Sequence, residues 1–131
     1  MKYLLDTDTL IDVLQNRRQT RMRINAMIEA GDEVAVCSIT IAELYTGLNE
    51  ARRQRWHEWL LALPYWDISR EAAMQAGIDR KSASEAGQTL HISDCLVAAC
   101  AREQQAIVLT SNIKDYPMKD VRVLSLRENA A

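Results

Sequence analysis

Short apolar runs alternate with segments of helical periodicity along almost the whole chain, and this alternation limits the folds that the chain can adopt. The strand candidates are residues 2–5, 33–37, 65–68, 106–109 and 121–124. Short apolar strands that are separated by helical segments are typical of parallel sheets with right-handed crossovers. We therefore predict a three-layer α/β/α fold with a central parallel sheet, built as a single domain over residues 1–131.

Residues that favour helix ends mark the predicted helix boundaries. Asp8 and its threonine neighbours are N-cap types between the first strand and the first helix. The spacing of tryptophans and leucines predicts a helix over residues 51–63, which Pro64 ends. Residues 87–92 indicate a loop before a helix over residues 94–103, and a short polar tail follows the last strand candidate.

The composition is that of an ordinary globular protein. The chain has 131 residues, of which 48% are hydrophobic, enough for a core of normal size. No apolar run approaches the ~20 residues needed to cross a bilayer, and Asp6 interrupts the N-terminus too early for the apolar part of a signal peptide. We expect a protein without a membrane span that works in the cytoplasm.

The three cysteines, Cys37, Cys95 and Cys100, lie among apolar residues without CxxC spacing. This context is typical of reduced, buried thiols that pack as small hydrophobic side chains. The two histidines, His57 and His91, stand at no motif spacing, so the chain lacks the nitrogen and sulfur donors of a zinc site. We do not expect zinc.

Four acids lie at the predicted junctions of strands and helices: Asp6, Glu43, Asp94 and Asp115. Since the carboxyl ends of parallel strands meet at one edge of a sheet, we expect the four to gather there. Carboxylates so close together repel one another, and they either take up protons or hold a cation. Oxygen ligands favour Mg²⁺ or Mn²⁺, either of which can activate water for attack on a phosphodiester. The four acids therefore predict a metal-dependent nuclease.

Each acid also has a structural alternative. Glu43 completes a capping box with Thr40, and the helix dipole favours Asp94 at a helix start. Asp6 is suited to supporting the turn into the first helix, and Asp115 to an ordinary turn. What favours a metal site is that all four acids fall at the same edge of the predicted sheet.

Five further polar residues at this edge are candidates for orienting the carboxylates through hydrogen bonds. They are Thr7, Asp8, Thr40, Thr110 and Asn112. For Asp8 the alternative is a helix N-cap. His91 lies nearby, but we expect it to be a surface-loop residue that the chemistry does not use.

Arginines cluster in the sequence although the net charge is −2. One group consists of Arg17, Arg18, Arg21 and Arg23, and a second lies within residues 52–55. Guanidinium groups bind phosphates through paired hydrogen bonds, so the first group is a candidate for contact with an RNA backbone. The alternative is that both groups are solvated helix faces, and the sequence leaves the two interpretations open.

Four segments resemble the motifs of PIN-domain nucleases. They are residues 4–12 (LLDTDTLID), 38–44 (SITIAEL) followed by Gly47, 92–99 (ISDCLVAA), and 109–112 (LTSN) with Asp115 and Tyr116. In order and spacing, these segments cover nearly the whole chain. The length, with little beyond the bare domain, is similar to that of the VapC-type toxins of bacterial toxin–antitoxin pairs.

This resemblance implies an endoribonuclease that depends on Mg²⁺ or Mn²⁺ and cleaves transfer RNA or ribosomal RNA, which inhibits translation. It also implies a homodimer that a small cognate antitoxin neutralises, with DNA contacted only through that antitoxin. The family's metal ligands correspond to Asp6, Glu43 and Asp94. The fourth position stays open, because family members place an acid either where Asn112 stands or where Asp115 stands.

Two other functions compete with this one. The sequence Asp6-Thr7-Asp8 resembles the start of haloacid-dehalogenase-type phosphatases, which bind Mg²⁺ and use the first Asp as nucleophile and the second as acid or base. That family expects Thr or Val where Leu10 stands, and a late acidic pair that the chain lacks. The other alternative is a non-catalytic module that assembles with an antitoxin on DNA, and the presence of all four acids weighs against it.

Overall fold

A sheet of five parallel strands forms the centre of the computed structural model, which describes residues 1–127. The strands are β1 (Lys2–Leu5), β2 (Glu33–Cys37), β3 (Tyr65–Trp66), β4 (Ile107–Leu109) and β5 (Val123–Leu124). Each coincides with a strand candidate of the sequence, although the edge strands β3 and β5 have only two residues each. An edge strand pairs on one side only, so fewer of its residues gain ladder hydrogen bonds.

The strand order β3-β2-β1-β4-β5 places β1 at the centre of the sheet. Tyr3 of β1 lies opposite Val34 of β2 on one side and Ile107 of β4 on the other. From β1 the chain first builds one side of the sheet, with β2 and then β3. It later crosses to the other side of β1 and adds β4 and then β5. Such a reversal opens a crevice at the carboxyl ends of the two strands, where open α/β sheets bind their ligands. Here the crevice lies between the ends of β1 and β4.

Six helices and one short 3₁₀ turn cover the sheet in the described part of the chain. They are α1 (Thr7–Leu14), α2 (Arg18–Glu29), α3 (Ser38–Thr46), α4 (Glu50–Ala62), α5 (Arg70–Glu85), α6 (Ile92–Gln104) and the turn Ile113–Asp115. A leucine-rich cluster joins α1, α2, α3 and α4 to one face of the sheet. A second cluster joins α6 to the other face, and α5 packs on α6. The predicted three-layer α/β/α architecture is confirmed.

Successive side chains of β1 account for the two helical layers. Leu5 packs in the leucine-rich cluster and Leu4 in the cluster beneath α6, since neighbouring residues of a strand face opposite sides of a sheet. Both are fully buried. Small side chains such as Ala98 and Ala101 let α6 lie close to the sheet. Because a crossover helix runs back against the strand direction, the start of α6 lies at the edge where β1 ends.

Two helix starts differ from the prediction. α1 begins directly after Asp6, which is its N-cap, so the alternative in which Asp8 caps this helix is wrong. α6 begins at Ile92, which shortens the expected loop and makes Asp94 the third helical residue. In both cases the helix starts as soon as an extended residue ends the preceding segment, with ψ at 162° for Asp6 and 139° for His91.

The segment after β5 is not the polar tail that its composition predicts. Leu126 is only 4% exposed and belongs to the leucine-rich cluster. Arg127 donates to both carboxylate oxygens of Asp12, each at 3.0 Å. The prediction is therefore wrong for residues 125–127, because one buried leucine anchors them. The rest of the expected tail, residues 128–131, lies outside the described residues.

Two further expectations concern the cysteines and the absence of a membrane span. Cys37, Cys95 and Cys100 are buried free thiols, as predicted. They pack in the two clusters that cover α6, where their neighbours are mostly small apolar side chains. Within residues 1–127, no helix has both the length and the apolar composition needed to span a membrane.

Candidate active site

Hydrogen bonds from the chain after β1 close the base of the crevice between β1 and β4. The backbone N–H of Asp6 donates to the carbonyl oxygen of Leu109 at 3.0 Å, and the Thr9 hydroxyl donates to the same oxygen at 2.9 Å. The end of β1, the first turn of α1 and the end of β4 are thereby joined. An open cavity of about 400 Å³ lies over this junction.

All four acids proposed from the sequence line this cavity. Its lining residues are Asp6, Thr7, Asp8, Ile11, Glu43, His91, Ser93, Asp94, Asn112 and Asp115. Among these described residues, none is a lysine or arginine that would neutralise the carboxylates. The acids come from the starts of α1 and α6, from α3 and from the 3₁₀ turn, so the fold gathers residues that are far apart in the chain.

Asp6 is held at both carboxylate oxygens. Its Oδ1 accepts from the backbone N–H of Thr7 at 2.7 Å, and its Oδ2 accepts from the hydroxyl of Tyr116 at 2.6 Å. The first bond is a helix N-cap, so Asp6 does support the turn into α1 as well as line the cavity. Burial raises the pKa of Asp6 to about 6, although the hydrogen bond from Tyr116 acts in the opposite direction. These donors are neutral, and they orient the carboxylate without cancelling its charge.

Asp94 lies in the first turn of α6 and is partly buried. Its pKa is raised to about 7, mainly by burial and further by the charges of Asp6, Asp115 and Glu43. The dipole at a helix start lowers the pKa of a carboxyl group, so dipole stabilisation does not account for this residue. The raised pKa follows first from burial and then from the charges of the three other acids.

Glu43 reaches the cavity from α3. The Thr7 hydroxyl donates to Oε1 of Glu43 at 2.7 Å, which ties α3 to the start of α1. The structural alternative, a capping box of Thr40 with Glu43, is wrong, because α3 begins at Ser38 and Thr40 bonds to Cys37. The Thr40 hydroxyl accepts from the backbone N–H of Cys37 at 3.3 Å and donates to its carbonyl oxygen at 3.0 Å. Thr7 thus contacts one of the four acids, whereas Thr40 supports the helix start.

Asp8 holds the loop that follows β4. Its carboxylate accepts from the hydroxyls of Thr110 and Ser111, at 3.2 and 2.8 Å, and from the side-chain amide of Asn112 at 2.8 Å. These bonds place Thr110 and Asn112 beside Asp8, and their role in orienting the four acids stays a prediction. They also occupy Asp8, which weighs against its use as the free acid or base of a phosphatase.

The same geometry distinguishes the two candidates for the fourth acidic position. The amide nitrogen of Asn112 is engaged with Asp8. Asp115 ends the 3₁₀ turn, lines the cavity and raises the pKa of Asp94 through its charge. Asp115 therefore presents a carboxylate to the cavity, whereas Asn112 fixes the loop that leads to it.

Tyr116 belongs to the fourth of the motifs that resemble PIN-domain nucleases, but the sequence did not reveal its contact with the acids. Its ring packs in the cluster beneath α6 and is 4% exposed. Its hydroxyl donates to Asp6 and lies 3.5 Å from Oδ1 of Asp94. Burial and the neighbouring carboxylates raise the pKa of Tyr116 well above its ordinary value, so the hydroxyl stays protonated. The available signal was a tyrosine directly after a candidate acid, but a tyrosine there suits an apolar core equally well.

The donor set of the cavity fits a hard cation. The four acids offer oxygen atoms, and the repulsion that raises the pKa of Asp94 is of the kind that a bound cation relieves. In residues 1–127, no three histidine, cysteine or carboxylate side chains are already arranged as a formed metal site. Hydrogen bonds from Thr7 and Tyr116 hold two of the acids, Glu43 and Asp6, in fixed orientations.

Of the four arginines proposed to contact RNA, none lines the cavity in the described structure. Arg17 pairs with Asp12 at 3.6 Å, and Arg23 donates to a backbone carbonyl oxygen of the C-terminal segment at 3.2 Å. Arg18 and Arg21 lie in the first turns of α2. The eight residues of α1, a length of about 12 Å, separate this cluster from the acids.

Two curated relatives illustrate what the chain is similar to. Ribonuclease VapC2 of Haemophilus influenzae is 28% identical over an alignment of 133 positions, which covers 97% of this chain and 96% of the relative. Ribonuclease VapC19 of Mycobacterium tuberculosis is 24% identical over 115 residues, which cover 88% of this chain and 92% of the relative. Both similarities extend over nearly the full length of each protein.

Solved structures share the fold at lower identity. VapBC2 from Rickettsia felis, bound to a DNA fragment from its promoter, contains a chain that aligns with a TM-score of 0.84 at 21% identity, covering 95% of this chain and 98% of that one. A chain of VapBC-1 from nontypeable Haemophilus influenzae aligns with a TM-score of 0.82 at 19% identity, covering 98% and 100%. The sequence model of the PIN domain matches residues 3–122, a span that holds all four acids of the cavity. The chain therefore belongs to the PIN-domain family.

Proposed function

We propose that this chain is a divalent-cation-dependent endoribonuclease and the toxin of a toxin–antitoxin pair. The observation that carries the proposal is the acidic cavity, in which burial and neighbouring charges raise the pKa of Asp94 to about 7. Such an arrangement destabilises the free protein and is typical of sites that bind an external charge. The curated relatives are named ribonucleases, which supports RNA as the substrate.

The proposed cation ligands are Asp6, Glu43, Asp94 and Asp115, all of which line the cavity. Their oxygen atoms match the preference of Mg²⁺, with Mn²⁺ as an alternative. When bound, such a cation supplies polarisation of a phosphodiester and a lowered pKa for a water molecule. The chain itself supplies the orientation of the ligands.

Neighbouring residues provide that orientation. The backbone N–H of Thr7 binds Asp6 and its hydroxyl binds Glu43, both at 2.7 Å, so one residue sets the positions of two acids. Asp8 fixes the loop that leads from β4 to Asp115. Hydrogen bonds of this kind hold metal ligands in a productive geometry, and their loss commonly weakens binding by about 10- to 100-fold.

The proposal extends to substrate, partner and assembly. The substrate is transfer RNA or ribosomal RNA, the inhibitor is a small cognate antitoxin that makes any DNA contact, and the working form is a homodimer of single-domain chains, residues 1–131, in the cytoplasm. The resemblance to VapBC complexes, one of them bound to DNA, supports the antitoxin. Arg18 and Arg21 remain our first candidates for contact with RNA phosphates.

The direct test is incubation of the purified, antitoxin-free chain with total RNA in Mg²⁺, in Mn²⁺ and in EDTA. We expect fragments only with a divalent cation, and none from an Asp6→Asn variant. The matched control is Asp32→Asn, the same substitution just before β2 at the opposite edge of the sheet, which should cleave like the wild type. If no RNA gives a fragment that requires both the cation and Asp6, the ribonuclease proposal is wrong.

A growth assay separates the nuclease from the non-catalytic alternative. Expression of the wild-type chain should stop growth, and coexpression of the small protein encoded beside it should restore growth. The Asp6→Asn variant should be harmless and should still copurify with that small protein. Full growth inhibition by Asp6→Asn would favour a non-catalytic assembly module. Sedimentation that shows only monomer at micromolar concentration would remove the homodimer from the proposal.

A further inference from the structure

One hydroxyl group connects two of the four acids. The Tyr116 hydroxyl donates to Oδ2 of Asp6 at 2.6 Å and lies 3.5 Å from Oδ1 of Asp94. A phenol carries a single proton, so it donates to one carboxylate at a time. The shorter contact identifies Asp6 as the acceptor in this structure.

We propose that Tyr116 is a positioning residue for the divalent cation, because its hydroxyl fixes the Asp6 carboxylate in the orientation from which that carboxylate binds the cation beside Asp94. This inference rests on the proposed function. It assigns the effect to the hydroxyl group and not to the ring.

The hydrogen bonds of Asp6 show how this works. Thr7 donates to one oxygen and Tyr116 to the other, so rotation of the carboxylate about its bond to Cβ would break at least one of the two bonds. Each carboxylate oxygen has two acceptor sites, and a single hydrogen bond leaves the second one available to a cation. The two donors therefore fix the ligand without using up its capacity to bind.

The surroundings of Tyr116 indicate that the hydroxyl serves the acids. The ring packs among apolar residues of the cluster beneath α6, where a phenylalanine ring would fill the same space. Burying a hydroxyl costs free energy unless it finds a partner, and here the partner is Asp6. A lysine or arginine in this place would neutralise Asp6 and compete with the cation. A neutral donor orients the carboxylate and leaves its charge for the cation.

The test compares Tyr116→Phe with Tyr65→Phe, which removes the same hydroxyl group from a half-exposed tyrosine of β3. Calorimetric titration of each protein with Mn²⁺, in the absence of RNA, gives the cation affinity directly. We expect Tyr116→Phe to bind Mn²⁺ about 10-fold or more weakly than the wild type, and Tyr65→Phe to match the wild type. Cleavage by Tyr116→Phe should be impaired most at limiting Mn²⁺ and should approach the wild-type rate at saturation.

The possible failures are distinguishable. If the wild type binds Mn²⁺ and Tyr116→Phe binds it equally well, the positioning role is wrong while the proposed function stands. A fall in melting temperature of Tyr116→Phe with unchanged Mn²⁺ affinity has the same meaning, since it shows a purely structural hydroxyl. If the wild type binds no divalent cation, both proposals fall.

A second measurement covers the case in which Tyr116→Phe does not fold. The chain has four tyrosines, so ¹³Cζ-labelled tyrosine gives four signals in the wild-type protein. On titration with Mg²⁺ we expect one signal to move, and that signal should persist in the variants Tyr3→Phe, Tyr45→Phe and Tyr65→Phe. If no signal moves, or if the moving signal is lost in one of these variants, Tyr116 does not position the cation.

Discussion

Asp6 and Asp12 lie toward opposite ends of the same short helix, and both are buried, with 7% and 4% of their surfaces exposed. Their partners differ in charge. Asp12 accepts two hydrogen bonds from Arg127 at 3.0 Å and pairs with Arg17 at 3.6 Å. Asp6 accepts from a backbone N–H and from the neutral hydroxyl of Tyr116.

The difference teaches how one residue type serves two purposes within one helix. The charge of Asp12 is balanced by the chain itself, so this carboxylate ties the C-terminal segment to α1. The charge of Asp6 faces other acids, and its pKa is raised to about 6 by burial. A buried carboxylate with only neutral donors and like charges around it is suited to an external cation. The charge of the hydrogen-bond partner distinguishes the two residues: Asp12 has cationic partners and stabilises the fold, whereas Asp6 has neutral partners and is the candidate ligand.

The largest expected effect comes from Asp94→Asn, which removes one negative charge from the acidic cavity without changing the shape of the side chain. We expect RNA cleavage to fall by about 1000-fold, since loss of a cation ligand removes several kcal/mol of transition-state stabilisation. The metal-free protein should meanwhile gain about 1 kcal/mol of stability at pH 8, after allowance for solvent screening, because the raised pKa of Asp94 shows that its charged form is unfavourable. Thermal denaturation in EDTA measures the second effect. If Asp94→Asn were instead less stable than the wild type in EDTA, the charge of Asp94 would not be unfavourable in the metal-free cavity.

Arg127→Met tests the other end of the helix. It leaves Asp12 buried with Arg17 as its remaining cationic partner, and we expect the free energy of unfolding to fall by about 2 kcal/mol. Denaturant unfolding measures the change. Cleavage by the folded protein should stay within about twofold of the wild type, because distant sites act independently. Combining this substitution with Asp12→Asn should restore part of the stability. A folded Arg127→Met protein that cannot cleave RNA would show that the ion pair of Asp12 also affects the acidic cavity around Asp6.

The pH dependence of stability is the next effect in size. The pKa values of Asp6 and Asp94, about 6 and about 7, exceed the ordinary value of 3.8, so between pH ~4 and ~7 the folded metal-free protein binds more protons than the unfolded chain. The stability that these two groups contribute is therefore present at low pH and is lost as the pH rises through 6 and 7, by roughly 1 to 2 kcal/mol. Saturating Mg²⁺ should reverse this slope, because the cation binds the deprotonated acids. Melting temperatures at pH 5 and pH 8, in EDTA and in Mg²⁺, check both statements. Greater stability at pH 8 than at pH 5 in EDTA would count against them.

The smallest expected effect distinguishes the two candidates for the fourth acidic position. It comes from a comparison of Asp115→Asn with Asn112→Ala. Asp115 is the proposed ligand, so its loss should lower cleavage at limiting Mg²⁺ by about fivefold, whereas the loss of Asn112, which only holds the loop through Asp8, should lower it by about twofold. Cleavage rates over a range of Mg²⁺ concentrations measure both. The reverse order would make Asn112 the fourth side of the site.

Local signals explain why much of the fold was predictable. The apolar run that became β2 and the helix stop at Pro64 depend only on neighbouring residues, and both lie where the sequence placed them. The position of the acids at strand ends follows from the same local pattern combined with the rules of parallel sheets.

Local patterns were a poor guide where a distant partner decided the outcome. The pattern of Thr40 and Glu43 allowed a capping box as the structural alternative to a site role, but the carboxylate of Glu43 accepts from the hydroxyl of Thr7, which lies 36 residues earlier. The C-terminal composition indicated a polar tail, but Leu126 is buried in the leucine-rich cluster. Neither partner can be read from the neighbouring sequence.

By itself, the sequence determined a parallel α/β fold and the presence of acids at one edge of its sheet, because both depend on residue type and spacing. Only the tertiary structure decided which acids are neutralised within the chain. Asp12 meets Arg127 across 115 residues of sequence, whereas Asp6 meets Tyr116 across 110. Charge pairing acts over a few ångströms of space, and separation along the chain does not set that distance. One carboxylate therefore became part of the scaffold, and the other was left with its charge for a ligand.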